Sequence, residues 1–238
     1  MTVLAIVGGG VYTPTLCAEL ARALGETSLT LRIASRDAAR RALVTREADL
    51  RAKAVHPGAT VTEARSLDEA FEGADHVVLL VRVGGLAARA YDETFPRAHG
   101  FVGDEGLGAG GISNAWRTLP TLSAMAATLR ARAPDATVWN LVAPLGITTR
   151  CLLDARLDAV GVCELPLVTR ERWGIPAGEL GYAGLNHLGW FWPRTERARA
   201  ALEAAADVDR ATLHAFGAAP LRYYYELFDA AAAERLGL

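Results

Sequence analysis

Cysteine is scarce in this sequence of 238 residues, and its three cysteines are unevenly spaced. They are Cys17, Cys151 and Cys163. An odd, sparse set excludes the disulfide framework of a small secreted domain, so we expect a reducing compartment. No apolar run approaches the roughly eighteen residues that a membrane-spanning helix needs, and the N-terminus starts with a strand-like run rather than a signal peptide. We therefore expect a cytoplasmic protein with no membrane partner.

The sequence also lacks an excess of either charge. Its 25 basic and 27 acidic residues give a formal net charge of -2 and are interspersed along the chain. A nucleic-acid-binding surface needs a basic stretch or patch, because phosphate contacts dominate such binding. We therefore expect no nucleic-acid partner.

Apolar residues make up 51% of the chain, which is enough for a large core. Short apolar runs alternate with helical patterns up to about residue 162, after which alanine-rich helical segments dominate. This alternation predicts the α/β class, with a Rossmann-like doubly wound parallel sheet. We predict a dinucleotide-binding domain at 1–162 and the start of a second, helix-rich (α+β) domain at 163–238.

The first apolar run, residues 3–7, ends in three consecutive glycines, and a helical pattern follows. Strand, glycine turn and helix form the first unit of a dinucleotide fold, whose turn lets the backbone approach a pyrophosphate. Thr13 is predicted to cap the helix and Pro14 to occupy its first turn. The spacing departs from G-x-G-x-x-G, and a plain tight turn is an equal alternative. The predicted cofactor contacts here are Gly8, Gly9, Gly10, Val11 and Tyr12.

The second strand-like run, residues 29–34, ends at Ser35 and Arg36. Such folds present an acidic residue here to the ribose of NAD, whereas an arginine can accommodate the 2′-phosphate of NADP. We predict that Ser35 and Arg36 contact the cofactor, and NADP stays open beside NAD. A solvated Arg36 is an equal alternative, and Asp37 is predicted to cap the next helix.

Two later segments are expected at the same edge of the sheet. Residues 74–81 form a strongly apolar run that predicts a buried strand, and Arg82 follows it. Residues 100–111 contain six glycines, which favours a binding loop or lid over regular structure. A further strand is predicted at residues 137–142, which include Asn140.

Cys163 follows an apolar run at residues 157–162 that predicts a buried strand, and His187 follows a second strand-like run at residues 182–185. A thiolate and an imidazole together can bind a divalent metal and leave other positions for water or substrate. The alternative is a buried thiol and a hydrogen-bonded core histidine.

Several short motifs, spread over nearly the whole chain, occur in an order typical of one enzyme family. They are Gly8-Gly9-Gly10 with Tyr12-Thr13-Pro14, then Arg82-Val83-Gly84-Gly85-Leu86 with Arg89, Asp92-Glu93 and Pro96, then Gly103, Glu105, Gly108, Gly110-Gly111 and Arg117-Thr118-Leu119-Pro120, then Cys163-x-x-Pro166, Ala183-Gly184-Leu185-Asn186-His187 and Leu221-Arg222-Tyr223-Tyr224. The ordered set resembles glycoside hydrolase family 4, whose members are NAD-dependent and metal-dependent glycosidases. The 6-phospho-β-glucosidase branch is the most similar.

This resemblance implies hydrolysis of glucosides, particularly 6-phosphorylated ones, in carbohydrate metabolism, by a route unlike two-carboxylate glycoside hydrolysis. It implies oxidation of sugar C3 by bound NAD, removal of the C2 proton, elimination of the glycosidic oxygen, addition of water and return of the hydride. A divalent ion, Mn²⁺ in most members, would hold the C2 and C3 oxygens as a Lewis acid. A sugar or sugar phosphate is the implied small-molecule partner.

The resemblance also implies roles for single residues. Cys163 and His187 stand at the positions of the metal ligands, and Glu164 could protonate the leaving group or bind metal. The base of the family is a tyrosine, for which Tyr223 matches best and Tyr224 second. A tyrosine with an ordinary pKa near 10 needs an adjacent metal or cation to act as a base near neutrality, and these tyrosines could instead only pack a helix. The implied substrate contacts are Arg82, Arg89, Asn140 and Asn186, and Arg82 is also an implied cofactor contact.

The chain departs from the family pattern in several places. Val11 stands alone where members have two residues, Ala143 replaces an asparagine, and Glu164 replaces an asparagine common in the phospho-β branch, where it could repel a substrate phosphate. The chain is also short for the family, so we expect a truncated or divergent member that is a homodimer or homotetramer when full length. The alternatives are an NAD(P)-dependent sugar or hydroxy-acid oxidoreductase and a non-catalytic nucleotide-binding remnant.

Overall fold

The computed structural model describes residues 1–25, 28–185 and 187–238. Contacts between residues divide the chain into two compact units, Met1–Val162 and Cys163–Leu238. Each unit has its own sheet and its own buried apolar core.

A six-stranded parallel sheet forms the centre of the first unit. Its strands are β1 (Thr2–Val7), β2 (Leu29–Ala34), β3 (Thr60–Ala64), β4 (His76–Leu79), β5 (Thr137–Asn140) and β6 (Asp158–Gly161). Their order in space is β3-β2-β1-β4-β5-β6, and all neighbouring pairs are parallel. The order reverses between β1 and β4, and doubly wound sheets bind ligands at such a point, outside the carboxyl ends of the strands.

Helices cover both faces of this sheet. They are α1 (Thr13–Ala23), α2 (Ala38–Val55), α3 (Leu67–Phe71), α4 (Gly85–Thr94), α5 (Gly108–Arg132) and α6 (Leu145–Asp154). On one face Cys17 and Ala48 pack against Ile6 and Ile33, and on the other Leu122 packs in a cluster with strand residues of β1 and β4. Strands buried on both faces read as continuous apolar runs, which is why the sequence predicted them. The predicted doubly wound α/β fold is confirmed.

The second unit is built around a small antiparallel sheet. Its strands are β7 (Leu180–Leu185), β8 (Leu188–Pro193) and β9 (Ala219–Pro220), in the order β7-β8-β9. Its helices are α7 (Leu165–Arg172), α8 (Glu196–Ala204), α9 (Arg210–Phe216), α10 (Arg222–Phe228) and α11 (Ala230–Leu236). Phe191, Leu202 and Leu213 form part of the core between them. Thr195 caps α8 and Asp209 caps α9, since each side chain accepts a backbone N–H three residues on.

The start of α1 differs from the prediction. Thr13 is the first residue of the helix and Tyr12 is its N-cap, without a side-chain cap bond. The Thr13 hydroxyl donates instead to the Gly8 carbonyl oxygen at 3.1 Å, so it fixes the glycine turn rather than the helix end. Pro14 does lie in the first turn, and Asp37 does cap α2 by accepting the Arg40 N–H at 2.9 Å.

Two further predictions in the first unit were wrong. The strand before Cys163 is not buried: β6 lies at the edge of the sheet, and Val160 is 43% exposed. The glycine-rich segment was predicted to be a binding loop or lid without regular structure, but residues 108–111 begin α5, and the glycines allow close backbone packing. A Cβ at Gly103 would overlap the Glu93 carbonyl, and one at Gly110 would overlap the carbonyl of Asp92. Among the helices of the described ranges, none is both long and apolar enough to cross a membrane.

Candidate functional site

The glycine turn lies where β1, β2 and β4 end together. The Gly8 N–H donates to the Ala34 carbonyl at 2.9 Å, and Gly8 has a φ of 147°, a conformation that favours glycine. A Cβ at Gly8 would lie 2.8 Å from the Leu80 carbonyl oxygen, and one at Gly9 would lie 2.8 Å from Ser35 Oγ. Gly10 faces open space. Glycine at positions 8 and 9 therefore makes room for this backbone path, which leaves main-chain groups accessible at the start of α1.

Val11, Tyr12, Ser35 and Arg36 surround this turn. Val11 is 85% exposed and Tyr12 is 82% exposed, so neither contributes to the core. Ser35 is half-buried against Gly9, whereas Arg36 is exposed. The structure thus places the seven predicted cofactor contacts that follow β1 and β2, residues 8–12, 35 and 36, at one edge of the first unit.

Arg82 and Arg89 both contact the carboxylate of Glu105. Arg82 Nη1 donates to Glu105 Oε2, and Arg89 Nε lies 3.6 Å from Glu105 Oε1. Arg89 also donates to Glu93 at 2.7 Å. Both guanidinium groups are partly exposed, and Glu105 is mostly buried. The two guanidinium groups and the carboxylates of Glu93 and Glu105 form an ion-pair cluster without net charge next to the end of β4.

Asn140 is occupied by contacts within the protein. It is completely buried, and its amide donates to the hydroxyl oxygens of Thr148 and Thr149, both at 2.9 Å. Its carbonyl accepts the Val142 N–H at 3.1 Å. These bonds hold the connection between β5 and α6 and occupy the Asn140 side chain, which disagrees with its predicted role as a substrate contact.

Cys163 and His187 meet in the second unit. His187 directly precedes β8 in the β7–β8 hairpin, and its ring lies beside the thiol, with Cys163 Sγ 3.7 Å from His187 Nε2. Both residues are partly buried. Asn186, a predicted substrate contact, lies outside the described residues. Within residues 1–25, 28–185 and 187–238, no cluster of three His, Cys, Asp or Glu side chains could hold a metal ion.

The separation of the two atoms suits one shared ion. A separation of 3.7 Å would let the thiolate sulfur and the imidazole nitrogen both contact one ion. A soft thiolate with an imidazole is a donor set for a divalent transition metal, so the residues fit such an ion.

The three neighbouring tyrosines of α10 have different surroundings. The Tyr223 ring stacks on the His187 ring, with centroids 4.5 Å apart and planes 13° apart, and the Arg222 guanidinium lies 5.5 Å from its centre. Tyr224 packs edge-on against Trp190 at 4.8 Å, in an aromatic group with Phe228. Tyr225 is completely buried, and burial raises its pKa to about 12. Only Tyr223 of the three touches the Cys163–His187 pair.

Two further groups lie near the pair. Glu164 is exposed and stands at the N-cap of α7, directly after Cys163. Tyr182 on β7 crosses Gly189, where a Cβ would overlap the phenol ring. Burial raises the pKa of Tyr182, and the sulfur of Cys163 adds to the rise. Tyr182 was not predicted, because a tyrosine in a strand pattern is indistinguishable from a core residue.

Sequence reasoning also missed the buried partner of Arg117. Asp92 on α4 is completely buried and forms an ion pair with Arg117 on α5. Both residues belong to the motifs quoted above, but no role was assigned to either. The available signal was the polar set Asn114, Arg117 and Thr118, which recurs at helical spacing on one side of α5.

The family described as Family 4 glycosyl hydrolase matches residues 3–174. Among curated proteins, 6-phospho-alpha-glucosidase 1 of Lacticaseibacillus paracasei is 28% identical over 200 residues, which cover 80% of this chain and 45% of that protein. The probable 6-phospho-beta-glucosidase of Bacillus subtilis is 34% identical over 134 residues, which cover 50% of this chain and 29% of that protein. The chain spans about half the length, or less, of these relatives.

Solved structures share the fold. The 6-phospho-beta glucosidase from Thermotoga maritima, with manganese, NAD+ and glucose-6-phosphate, superposes with a TM-score of 0.83 at 22% identity, over 100% of this chain and 62% of that one. A 6-phospho-alpha-glucosidase from gut microorganisms, in complex with NAD and Mn2+, gives a TM-score of 0.77 at 22% identity, over 99% and 62%. At this identity the likeness establishes the fold.

Proposed function

The chain belongs to family 4 of the glycosyl hydrolases, and from this membership we propose that it is a glycosidase that depends on NAD and on a divalent metal ion. The observation that carries the proposal is the 3.7 Å separation of Cys163 Sγ and His187 Nε2. Two relatives of the same fold were solved with NAD and manganese, which supports both cofactors.

Cys163 and His187 would hold the metal, Mn²⁺ or another divalent ion. Two protein ligands leave most of the coordination sphere open for sugar oxygens and water, as in catalytic rather than structural metal sites. The thiol must lose its proton and the imidazole must be neutral for both to bind, so metal affinity should rise with pH.

The first unit would bind the cofactor at the glycine turn. Gly8, Gly9 and Gly10 bring the main chain and the start of α1 to the pyrophosphate, and Ser35 and Arg36 lie where the adenosine ribose is bound in such folds. Arg36 is exposed and can approach a 2′-phosphate. The Kd values of NAD+ and NADP+ are compared for the wild type and for Arg36→Ser. If Arg36 binds a 2′-phosphate, the variant should weaken the binding of NADP+ and leave that of NAD+ unchanged.

When bound, the nicotinamide supplies a hydride acceptor for C3 of the sugar and the metal supplies a Lewis acid for its C2 and C3 oxygens. The ketone at C3 would acidify the C2 proton. This chain must supply the base that removes that proton. Loss of that proton would allow the glycosidic oxygen to leave by elimination with a proton from Glu164, water would then add, and the reduced cofactor would supply the hydride that restores the C3 alcohol.

We assign the base to Tyr223. Its ring stacks on the His187 ring, and the Arg222 guanidinium, which is paired with Glu226, lies 5.5 Å from the ring centre. A metal ion held by His187 would place a cation near this tyrosine. Tyr224 lacks this position, because Trp190 and Phe228 enclose its ring. Glu164, next to the thiolate and exposed, is assigned to protonation of the leaving group.

The proposed substrates are 6-phosphoglucosides, because the curated relatives are 6-phospho-glucosidases of both anomeric types. Arg82 and Arg89 supply two guanidinium groups at the edge of the first unit, and an anionic group of cofactor or substrate would bind them in competition with Glu105 and Glu93. The motif set favours the β-glucoside, whereas relatives matched over 80% and 77% of the chain are a 6-phospho-alpha-glucosidase and a maltose-6'-phosphate glucosidase. The homo-oligomer implied by the resemblance stays a prediction.

The test uses the four 4-nitrophenyl glucosides, α and β, with and without a 6-phosphate. The protein is incubated with NAD+, Mn²⁺ and a thiol reductant, and release of 4-nitrophenol is followed. We expect release from a phosphorylated substrate, and none when NAD+ is omitted or when EDTA removes the metal.

Two outcomes would replace the proposal. Accumulation of NADH without release of 4-nitrophenol would indicate a sugar oxidoreductase that stops after hydride transfer. Binding of NAD+ without any metal-dependent turnover, from a folded protein, would indicate a nucleotide-binding remnant.

A further inference from the structure

A buried polar network joins α4, α5 and the two segments that carry Arg82 and Glu105. At its centre the Arg117 guanidinium donates in three directions. Nε donates to the Val83 carbonyl at 3.0 Å, Nη1 and Nη2 donate to the carboxylate of Asp92, and Nη2 also reaches Asn114 Oδ1 at 3.2 Å. The bond to Val83 holds the main chain directly after Arg82.

Asn114 extends the network to the other partner of Arg82. Its amide nitrogen donates to the Glu105 carbonyl oxygen at 3.0 Å, and its own carbonyl accepts from Thr118 Oγ1 at 3.0 Å. Arg117 and Asn114 therefore fix the backbone on both sides of the Arg82–Glu105 ion pair. Asp92, with 0% exposure, compensates the charge of Arg117 inside the protein.

The local glycines make room for this arrangement. Gly84 has a φ of 85°, and a Cβ there would lie 3.1 Å from Arg117 Nε. A Cβ at Gly110 would overlap the main-chain carbonyl of Asp92. The absence of side chains at Gly84 and Gly110 thus leaves room for Arg117 and for the close packing of the Asp92 main chain.

We propose that Arg117 is a positioning residue, which with Asn114 holds the Arg82 guanidinium in the orientation that binds an anionic group of cofactor or sugar. This inference rests on the proposed function, because it needs Arg82 to contact a ligand. It assigns Arg117 no contact with the ligand.

Arg117→Lys separates positioning from charge. A lysine keeps a cation for the buried Asp92, but its point charge cannot reproduce the planar fork that also reaches Val83 and Asn114. Arg132→Lys is the matched control, since Arg132 lies on the same helix and pairs with Asp68 and Glu72 at the surface. Arg82→Met removes the proposed binding cation itself.

The Kd values of NAD+ and of glucose 6-phosphate are measured by calorimetry for the protein comprising residues 1–238. Arg82→Met should raise the Kd of at least one of the two ligands about tenfold or more, as loss of a hydrogen bond to a charged group does. Arg117→Lys should weaken the same ligand about 3- to 10-fold, and Arg132→Lys should leave it unchanged. The double variant Arg82→Met/Arg117→Lys should bind no more weakly than Arg82→Met alone, because Arg117 acts only through Arg82.

The inference would be overturned by a Kd for Arg117→Lys equal to that of the wild type, by additive effects in the double variant, or by no effect of Arg82→Met. If Arg117→Lys does not fold, Asn114→Ala takes its place, since it frees the Glu105 backbone while the Asp92–Arg117 pair remains. A wild-type protein that binds neither ligand would instead overturn the proposed function, and the inference with it.

Discussion

Cys163 Sγ lies 3.7 Å from His187 Nε2, although 24 residues separate them in the chain. The β7–β8 hairpin brings them together, because its turn falls at the histidine. A thiol and an imidazole nitrogen at this distance, with a tyrosine stacked on the imidazole, are the feature from which the proposed chemistry follows.

Replacing Cys163 with serine should weaken Mn²⁺ binding strongly. Loss of an outer-sphere partner alone weakens metal binding about 10- to 100-fold, so loss of a direct thiolate ligand should cost about 100-fold or more. Calorimetric titration with Mn²⁺ measures the change. Cys151→Ser, in the first unit, is the control and should bind as the wild type does. Unchanged affinity in Cys163→Ser would remove Cys163 from the ligands.

Tyr223→Phe and Tyr224→Phe should separate the base from its neighbour. Each change removes one oxygen and keeps the ring, so the packing of α10 is retained. Loss of a general base lowers the rate about 10²- to 10⁴-fold, which we expect for Tyr223→Phe. Tyr224→Phe should keep more than about a third of the wild-type rate of 4-nitrophenol release. The reverse order would assign the base to Tyr224.

Asp209 should make the stability of the second unit depend on pH. Its carboxylate is 5% exposed and accepts from Arg235 at 2.8 Å and from the Thr212 N–H at 2.9 Å. Hydrogen bonding to Arg235 lowers the pKa of Asp209, so its stabilising contribution is complete above its unfolded pKa of about 3.9 and is lost as the pH falls below that value.

Asp209→Asn therefore should lower the free energy of unfolding by about 1 to 2 kcal/mol at pH 7, because the asparagine still caps α9 but loses the charged bond. The difference from wild type should shrink below about pH 4. Urea unfolding followed across this range measures it. Asp229→Asn, at the equivalent cap position of α11, should cost only a few tenths of a kcal/mol. An equal cost for both variants at pH 7 would contradict the role of the charge.

Two helical glycines should respond to alanine in opposite ways. A Cβ at Gly110 in α5 would overlap the carbonyl oxygens of Asp92 and Asp104, whereas one at Gly146 in α6 meets nothing within 4 Å. Gly110→Ala should cost about 2 to 4 kcal/mol from overpacking, and Gly146→Ala should stabilise by up to about 1 kcal/mol from helix propensity. Urea unfolding midpoints compare them. A stable Gly110→Ala variant would show that this packing is loose.

The sequence predicted the sheet of the first unit well, because its strands are buried on both faces and appear as continuous apolar runs. It mispredicted β6, since only the order of the strands in space places that strand at an edge.

The sequence also left the choice between Tyr223 and Tyr224 undecided, because that choice depends on tertiary contacts. Neighbours on a helix point about 100° apart, and only the position of Trp190 shows which side packs.

The pairing of Asp92 with Arg117 could not be predicted from local pattern. Charged residues in helical segments are solvated in most proteins, and 25 residues separate these two. Burial of Asp92 follows from the close approach of Gly110 to its main chain, which is a tertiary contact.

Hydrolysis of the phosphorylated glucoside in ²H₂O tests the proposed chemistry most directly. Removal and return of the C2 proton, which we assign to Tyr223, should place deuterium at C2 of the glucose 6-phosphate released, as read by proton NMR of the product. A hydrolysed product that carries only protium at C2 would contradict the elimination route and the role given to the Cys163–His187 metal site.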